Sequence, residues 1–532
     1  MATSVSAEAT WLPSPVLGGH EFDQTTVVAT LIALVILPVV ASYVFRKDDG
    51  LPLINPPRMF QLEGQMMMEC ATQCARYLAE ARKRFPNRPF KLLGPTGRVT
   101  FLPPDMALDI KNTPALNFRK VFTERASPFV PALRTFRTLE HPDEMLQNVV
   151  KKHLTKRLNT VTGPLARETT FAVDKTFGNS ADWAEVNVNG ALVDVVARLS
   201  SRVFLGAELC RNERWLDITK TYTANLMRPF IFLGFFPRVL QPLIALFDPN
   251  CQALKNQLAR AREIVDVEVN RRRKERQECA VKGVTPTIYN DAIDWAEMES
   301  TTAPYDPTEF QLTLSFAAIH TTSDLLMSAL VTLIANPGSI QLLRQEMLEV
   351  LPSGGWNKNS LYHLKLMDSA IKESQRLKPT SIQGLQRRAT TDIEMPGGLK
   401  IRKGEVVSID VSRLRSPDYY ENPDKFDIHR FVNMRETAGG EHKGQLVSVH
   451  PDFINFGLGK YACPGRFFAA NEVKIALCHL LLKFDWELVP GTSLEPVHFG
   501  TSPRMDPSIR VRYKRRVPEF DIDALEVEEE GA

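Results

Sequence analysis

The sequence predicts a mainly helical protein with small β-sheets, and two kinds of pattern lead to this prediction. Residues 160–274 and 309–333 carry apolar side chains in helical patterns, so we expect long helices there. Short β-prone runs surround a Gly-Pro-Thr-Gly sequence between Phe90 and Leu102, which indicates a hairpin. Further short strands are expected around Ile393, Leu399–Ile401 and Val406–Ile409.

Size and composition indicate a large globular body. The chain has 532 residues, 44% of them hydrophobic and 24% charged, and its formal net charge is +3. Residues 519–532 hold seven acidic side chains and no basic one, so we expect a basic body followed by a mobile acidic tail. No nucleic-acid motif accompanies the basic residues, and the arginine-rich stretch 271–276 is expected on a solvated helix face. Seven cysteines without a CxxC pair argue against a disulfide framework and against zinc or iron–sulfur sites, and they fit a reducing compartment.

The N-terminal region predicts a membrane anchor. Residues 25–45 contain no charge, and a helix of that length reaches about 30 Å, the thickness of the bilayer's hydrocarbon core. A cleaved signal peptide is the alternative, but such a peptide begins with basic residues, and residues 1–45 contain no Lys or Arg. Arg46 and Lys47 follow at once, which places the body in the cytosol. The predicted order is a lumenal segment (1–24), a transmembrane anchor (25–45), a basic, proline-rich linker (46–57), a catalytic domain (58–518) and the acidic tail (519–532).

A loop near the C-terminus predicts a metal-bound cysteine. In the stretch Asn455 to Phe468 two glycines allow close backbone approach to a flat ligand, and Cys463 precedes an apolar-periodic helix. We expect Pro464 at the first helical position, so that the helix N-terminus lowers the pKa of the thiol. The alternative is an ordinary buried core cysteine.

This loop resembles the haem-binding loop of the cytochrome P450 family. Phe456, Gly459, Cys463 and Gly465 stand at the family's spacing, which implies haem b with Cys463 as the axial ligand of the iron. One position departs, because Tyr461 stands where the family usually has Arg or His to meet a haem propionate.

A second resemblance lies in the helix expected at Glu309–Leu333. Its sequence from Ala317 to Ser323 places small residues before hydroxyls, and it resembles the family's oxygen-binding groove. Thr321 then occupies the place of the oxygen-activating threonine. His320 replaces the family's usual acid, and it is expected to relay protons in that acid's stead.

Charged residues downstream resemble a structural motif of the same family. Glu373 and Arg376 share one helix face and, with Arg430, are implied to lock the segment behind the haem. Arg387 is implied to reach a propionate, with Lys152 or its neighbour Lys151 as a further candidate.

The resemblance covers residues 56–513 and implies the mainly helical P450 fold. The implied activity is a fungal monooxygenase that takes electrons from a membrane-bound NADPH-dependent reductase and oxidises a lipophilic terpenoid or indole-diterpene with O₂. The implied location is the endoplasmic reticulum membrane, where the interrupted apolar stretch 229–247 forms a lid that dips into lipid. The reductase is expected to dock on a basic face near Lys460 and Arg466. Alternatives are a P450-like isomerase or dehydratase that needs no reductase, and a non-catalytic membrane haem binder. Expected substrate contacts come from residues 129–136, the lid, and residues 317–321, 380–385 and 499–502.

Overall fold

The computed structural model describes residues 50–58, 61 and 63–527, together with positions 16–17, 20–21, 26 and 29–30. The chain divides into two compact units, residues 1–51 and residues 52–532. In the first unit Val16–Leu17 pairs antiparallel with His20–Glu21. The predicted anchor over residues 25–45 lies outside the described residues except at positions 26, 29 and 30.

The second unit is mainly helical, as the sequence predicts. Its α-helices within the described residues are Glu63–Arg84, Ala107–Ile110, Arg119–Thr123, Met145–Asn148, Leu158–Phe177, Val188–Phe204, Gly206–Leu209, Glu213–Leu233, Gln241–Phe247, Pro249–Lys282, Ala292–Glu299, Pro307–Ile334, Pro337–Gly354, Lys358–His363, Lys365–Leu377, Arg430–Glu436 and Arg466–Lys483. A π-helical turn, Val149–Leu154, lies between two of them.

The strands form small sheets at the edges of the helical body. The largest has five strands in the spatial order Phe90–Gly94, Gly97–Leu102, Val406–Asp410, Gln383–Ala389 and Leu116–Asn117. Phe90–Gly94 and Gly97–Leu102 are the predicted hairpin, and Val406–Asp410 runs parallel to the second of them. The smaller sheets are Phe484–Leu488 with Arg510–Arg515 and Ala184–Asn187, Val497–Phe499 with Ser502–Arg504, and Ile393–Glu394 with Lys400–Ile401.

The helix Pro307–Ile334, called the central helix below, organises the core. It starts with Pro307 at its first position, and the Asp306 side chain caps it by accepting a hydrogen bond from the backbone N–H of Glu309 at 2.9 Å. It packs against several other helices, namely Val188–Phe204, Glu213–Leu233, Pro249–Lys282, Lys365–Leu377 and Arg466–Lys483. Among the described residues it is the one helix long and apolar enough to cross a membrane, but most of it is buried inside the protein. Its apolar composition therefore reflects a core position.

Two surface predictions are corrected by the structure. Arg272 is buried rather than solvated, since its guanidinium forms ion pairs with Glu268, Asp291 and Asp294 at 2.6–3.0 Å. Residues 519–527 of the predicted mobile tail (519–532) are held against the body, and residues 528–532 lie outside the described residues. The Asp523 carboxylate lies 2.7 Å from the buried Lys483 ammonium, and the Trp356 backbone N–H donates to the carbonyl of Glu526 at 2.8 Å.

Candidate active site

The loop around Cys463 is held by its own backbone. The Cys463 N–H donates to the carbonyl oxygen of Phe456 at 2.7 Å, and the Ala462 N–H donates to that of Gly459 at 3.0 Å. Gly457 and Gly459 adopt φ values of 73° and 71°, which favour glycine. These turns fix the direction in which the cysteine enters the following helix.

Gly459 is required by a second contact. A Cβ atom there would lie 2.4 Å from the Asn112 side-chain oxygen and 2.7 Å from the carbonyl oxygen of Lys111. The same Asn112 oxygen accepts the backbone N–H of Lys460 at 2.8 Å. Gly459 therefore allows the segment at Lys111 and Asn112 to pack closely against the cysteine loop. This role was not predicted from the sequence, because Asn112 lies far from the loop in the chain.

The helix after the cysteine starts later than predicted. It begins at Arg466 with Gly465 as its N-cap residue, so Pro464 precedes the helix. Burial raises the pKa of the Cys463 thiol, and the backbone N–H groups of Gly465 and Arg466 act in the opposite direction. The predicted lowering of this pKa by the helix terminus is therefore outweighed by desolvation.

Arg466 braces the loop from the far side. Its Nη1 donates to the carbonyl oxygen of Cys463 at 2.8 Å, and its Nε donates to that of Val447 at 2.9 Å. Its guanidinium carbon also lies 4.5 Å from the centre of the Phe467 ring. Arg466 therefore stabilises the loop, whereas its neighbour Lys460 is exposed.

Most of the central helix is buried, but one small face near its middle is exposed. Ala317 and Thr321 are exposed, although most residues around them are buried, and their separation of four places both on one side of the helix. The Thr321 hydroxyl donates to the carbonyl oxygens of Ala317 at 2.8 Å and Ala318 at 3.2 Å. An exposed methyl group beside a hydroxyl, in the middle of a core helix, leaves room for a flat ligand against the backbone.

His320 is tied to a neighbouring helix. Its Nε2 lies 2.9 Å from the carbonyl oxygen of Lys220, an acceptor that requires a proton on Nε2. Burial lowers the pKa of His320, which favours the neutral ring. The next residue along an α-helix is rotated by about 100°, so His320 and Thr321 occupy different faces.

Arg387 is a buried cation with unfilled hydrogen-bonding capacity. Its Nη1 donates to the carbonyl oxygen of Gln386 at 2.8 Å, but within the described residues Nε and Nη2 have no partner. Its guanidinium carbon lies 4.7 Å from the Tyr461 ring centre and 6.0 Å from that of Phe118. Burial lowers the pKa of Arg387 to about 10, so the group remains charged at neutral pH. Two unsatisfied N–H groups on one guanidinium suit a carboxylate such as a haem propionate.

Lys152 has a carboxylate partner from the protein itself. Its Nζ lies 2.9 Å from Glu299, which also contacts His153 at 2.9 Å. Lys152 is exposed, as is Lys151. Arg387 is therefore better suited than either lysine to receive a propionate.

Glu373, Arg376 and Arg430 come together in a buried network. Arg376 forms two hydrogen bonds of 2.8 Å to the Glu373 carboxylate, and its Nη1 donates to the carbonyl oxygens of Leu414 and Pro423 at 2.7 Å. Arg430 Nε donates to Glu373 at 3.0 Å. Glu373 and Arg376 are fully buried, and each charge has an opposite partner, which is the condition for such a network to stabilise a fold.

Glu472 is a further polar residue near this core that the sequence analysis missed. It is fully buried on the helix Arg466–Lys483, and its Oε1 accepts the Ser200 hydroxyl at 2.8 Å. Its Oε2 has no partner among the described residues, and burial raises its pKa to about 8. The available signal was that Glu472 is the one acidic residue of this helix.

The Arg387 geometry leads to a prediction about haem retention. We expect Arg387→Leu to weaken haem binding by roughly tenfold or more, because a charge-assisted pair to a propionate is lost. Haem transfer to apomyoglobin measures this loss. Arg388→Leu is the matched control, since Arg388 is the adjacent residue but pairs with Glu124 at 2.7 Å. Equal retention by wild type and Arg387→Leu would contradict the assignment.

Comparison with known proteins identifies one family. The family profile described as Cytochrome P450 matches residues 144–507. The chain is 39% identical to cytochrome P450 monooxygenase hepE of Aspergillus oryzae, over 91% of this chain and 89% of that protein. It is 38% identical to cytochrome P450 monooxygenase TRI1 of Fusarium sporotrichioides, with the same coverage of each chain.

Solved structures show the same fold. The haem domain of cytochrome P450DA superposes with a TM-score of 0.65 and 19% identity, covering 88% of this chain and 98% of that one. The retinoic acid-bound cyanobacterial CYP120A1 superposes with a TM-score of 0.61 and 20% identity, covering 88% of this chain and 100% of that one. The predicted mainly helical architecture with small sheets is confirmed.

Proposed function

This chain belongs to the cytochrome P450 family, and from that premise we propose that it oxidises a lipophilic secondary metabolite, such as a terpenoid or indole-diterpene. The family is one of haem-thiolate monooxygenases, so haem b, O₂ and an electron-supplying partner are its requirements. The observation that carries the proposal is the Cys463 loop, whose backbone is fixed by short hydrogen bonds and braced by Arg466.

The residues present fit the haem. The Cys463 sulfur would bind the iron, Arg387 would receive a propionate through Nε and Nη2, and the exposed face at Ala317 and Thr321 would leave room for the flat macrocycle. When bound, haem supplies O₂ activation on an iron whose thiolate ligand favours O–O cleavage. The protein contributes the seating of the cofactor, the orientation of the substrate and the supply of protons.

Thr321 is the residue we assign to proton handling. Its hydroxyl donates to the Ala317 carbonyl at 2.8 Å, and rotation of the side chain presents that hydroxyl, or a water bound to it, to the exposed face. For His320 a relay role remains a prediction. Because its Nε2 is held by Lys220, Nδ1 is the ring atom that such a relay would use.

Replacing Thr321 tests this assignment. We expect Thr321→Val to keep consuming NADPH but to form roughly ten- to a hundredfold less product per NADPH, because a positioned proton donor is lost. The ratio of product to NADPH and the hydrogen peroxide released measure the effect. Thr321→Ser, which keeps the hydroxyl, should restore most of the coupling. Unchanged coupling in Thr321→Val would remove Thr321 from this role.

The walls above the central helix support an apolar substrate. The Phe316 ring lies 6.1 Å from that of Phe136, which in turn lies 5.7 Å from Phe122 and 4.9 Å from Phe230. Phe122 and Phe230 also line a cavity of about 410 Å³, so ring contacts connect the central helix to that cavity. Predominantly apolar and aromatic walls are typical of sites for hydrophobic small molecules.

Exposed apolar residues support membrane contact by the lid. After the helix Glu213–Leu233, several apolar side chains among the described residues are exposed to solvent, namely those of Val239, Leu240, Leu243, Leu246 and Phe247. Together with the predicted anchor, this patch favours residence on the cytosolic face of the endoplasmic reticulum membrane, with substrate entering from lipid.

The reductase is assigned to the side of the exposed Lys460. An NADPH-dependent cytochrome P450 reductase would approach the basic surface near the cysteine loop. Arg466 is engaged with the Cys463 and Val447 carbonyls, so Lys460 is the more accessible cation of the two.

Reconstitution tests the proposed function. The full chain, co-expressed with a fungal reductase in yeast, should convert a terpenoid or indole-diterpene into a product that carries one oxygen atom from isotopically heavy O₂. A product formed without reductase and without heavy oxygen would favour the isomerase alternative. Absence of any product or substrate-induced haem spectral change across such a panel would favour a non-catalytic haem binder.

A further inference from the structure

One wall of the cavity near the lid is polar, and nothing in the oxidation chemistry uses it. The cavity of about 410 Å³ lies between the five-stranded sheet, the rings of Phe122 and Phe230, and the chain at Gly234, and Phe499–Ser502 also contribute to its lining. Its cationic lining residues are Arg125, Arg238 and Arg388. Within the described residues that line it, Glu124 is the one acidic side chain.

Arg125 is partly buried, whereas Arg238 is exposed. The Nη1 of Arg125 donates to the carbonyl oxygen of Thr96, and its Nη2 donates to that of Pro95 at 3.2 Å. Its guanidinium carbon lies 5.6 Å from the centre of the Phe230 ring. Its Nε is buried and has no hydrogen-bond partner within the described part of the chain.

The charge of Arg125 is not balanced by the residues around it. Glu124 pairs with Arg388 at 2.7 Å, so the cavity's single carboxylate is already engaged. Burial lowers the pKa of Arg125 to about 10, and the neighbouring Arg388 charge acts in the same direction. The group still carries its proton at neutral pH, and within the described residues its hydrogen bonds go to carbonyl oxygens rather than to a carboxylate, so its charge has no opposite partner there.

The lid is shaped around this guanidinium. Gly234 follows the helix Glu213–Leu233, and a Cβ atom on it would lie 2.0 Å from Nη2 of Arg125. The absence of a side chain at position 234 therefore lets the guanidinium lie directly against the lid backbone. A second polar atom of the cavity lining, the side-chain oxygen of Gln383, is also buried and has no partner among the residues that the structure describes.

We propose that this wall binds an anionic oxygen of the substrate through Arg125, so that the preferred substrates are lipophilic acids, carrying a carboxylate or an equally acidic enol on an apolar skeleton. The inference rests on the proposed function, because it states how the enzyme binds one end of the molecule that it oxidises. The acid completes the charge of Arg125, the Gln383 oxygen accepts a substrate hydroxyl, and the apolar skeleton lies against the Phe122 and Phe230 rings, which contact the central helix through Phe136 and Phe316. The anion thereby fixes which carbon faces the oxidising centre.

A paired binding experiment tests the proposal on the haem-loaded, full-length protein. The probes are dodecanoic, abietic and lithocholic acids, each with its methyl ester, and equilibrium dialysis measures their dissociation constants. At least one acid should bind about tenfold or more tightly than its ester, since the ester cannot form the charge-assisted pair. Arg125→Gln should abolish this preference and leave ester binding within about twofold, whereas Arg125→Lys, which keeps the charge, should retain part of it.

Two further variants separate the site from general electrostatics and from folding. Arg238→Gln removes an exposed charge from the same cavity and should keep the preference for the acid. Gly234→Ala keeps every charge but displaces the guanidinium, and it should reduce the preference even if Arg125→Gln fails to fold. The proposal is overturned if no acid binds more tightly than its ester, or if the preference survives both Arg125→Gln and Gly234→Ala. Absence of haem-thiolate spectra in the wild type would instead overturn the proposed function.

Discussion

Arg376→Leu should lower the free energy of unfolding by about 3–5 kcal/mol, because it leaves the buried Glu373 charge with an incomplete set of partners. Arg376 and Glu373 are both fully buried, and the four hydrogen bonds of Arg376 join the helix Lys365–Leu377 to the loop segments at Leu414 and Pro423. Arg430 would retain its contact with Glu373 at 3.0 Å, but the two loop carbonyls would lose their donor. Denaturant titration followed by circular dichroism measures the loss.

Arg415 supplies the matched control for this prediction. It follows Leu414 directly, pairs with Asp424 at 2.7 Å and donates to the carbonyl oxygen of Leu377 at 2.6 Å, but the Arg415 and Asp424 side chains are 46% and 83% exposed. Exposed ion pairs contribute at most about 1 kcal/mol, so Arg415→Leu should change the unfolding free energy only slightly. If both variants lost the same small amount of stability, the buried network would have no special structural role.

Cys463→Ser should reduce product formation to the level measured without enzyme. The serine hydroxyl lacks the electron-donating thiolate that the haem chemistry depends on, while the backbone bonds to Phe456 remain available to it. Product formed per mole of bound haem, with the reductase present, measures the effect. Cys279→Ser is the control, because Cys279 is a partly exposed residue on the helix Pro249–Lys282 and should keep full activity. Substantial turnover by Cys463→Ser would refute the ligand assignment.

Local sequence patterns predicted the helices and strands whose formation depends mainly on neighbouring residues. The hairpin at Phe90–Leu102 follows from its turn residues, and the central helix follows from its apolar sequence and its Asp306–Pro307 start. The family resemblance then indicated the cysteine loop before any geometry was available. The family and the fold were therefore predictable from the chain alone.

Contacts between distant segments were not predictable in this way. The clamp of Asn112 on the Gly459–Lys460 turn joins residues about 350 positions apart, and no local pattern marks Asn112 as a partner. The buried Arg272 looked like one cation in an exposed run, because its partners Asp291 and Asp294 lie beyond the end of its helix. The start of the last helix was also predicted too early, because the turn at Pro464 and Gly465 precedes the first helical residue, Arg466.

The arrangement of residues in the cavity near the lid was likewise not predictable from the sequence. Arg125 and Gly234 are unremarkable in sequence, and their dependence on each other appears only when the lid backbone lies against the guanidinium. The exposure of Ala317 and Thr321 on a buried helix likewise required the packed structure. Sequence therefore indicated the reaction class, and three-dimensional packing indicated how substrate and cofactor could be held.

The most direct test of the central claim is the absorption spectrum of the reduced, full-length protein exposed to carbon monoxide. Thiolate ligation by Cys463 predicts the red-shifted Soret maximum that distinguishes haem-thiolate proteins from proteins with a histidine ligand. A folded, haem-loaded protein whose maximum stays at the histidine-type position when freshly prepared would contradict the account.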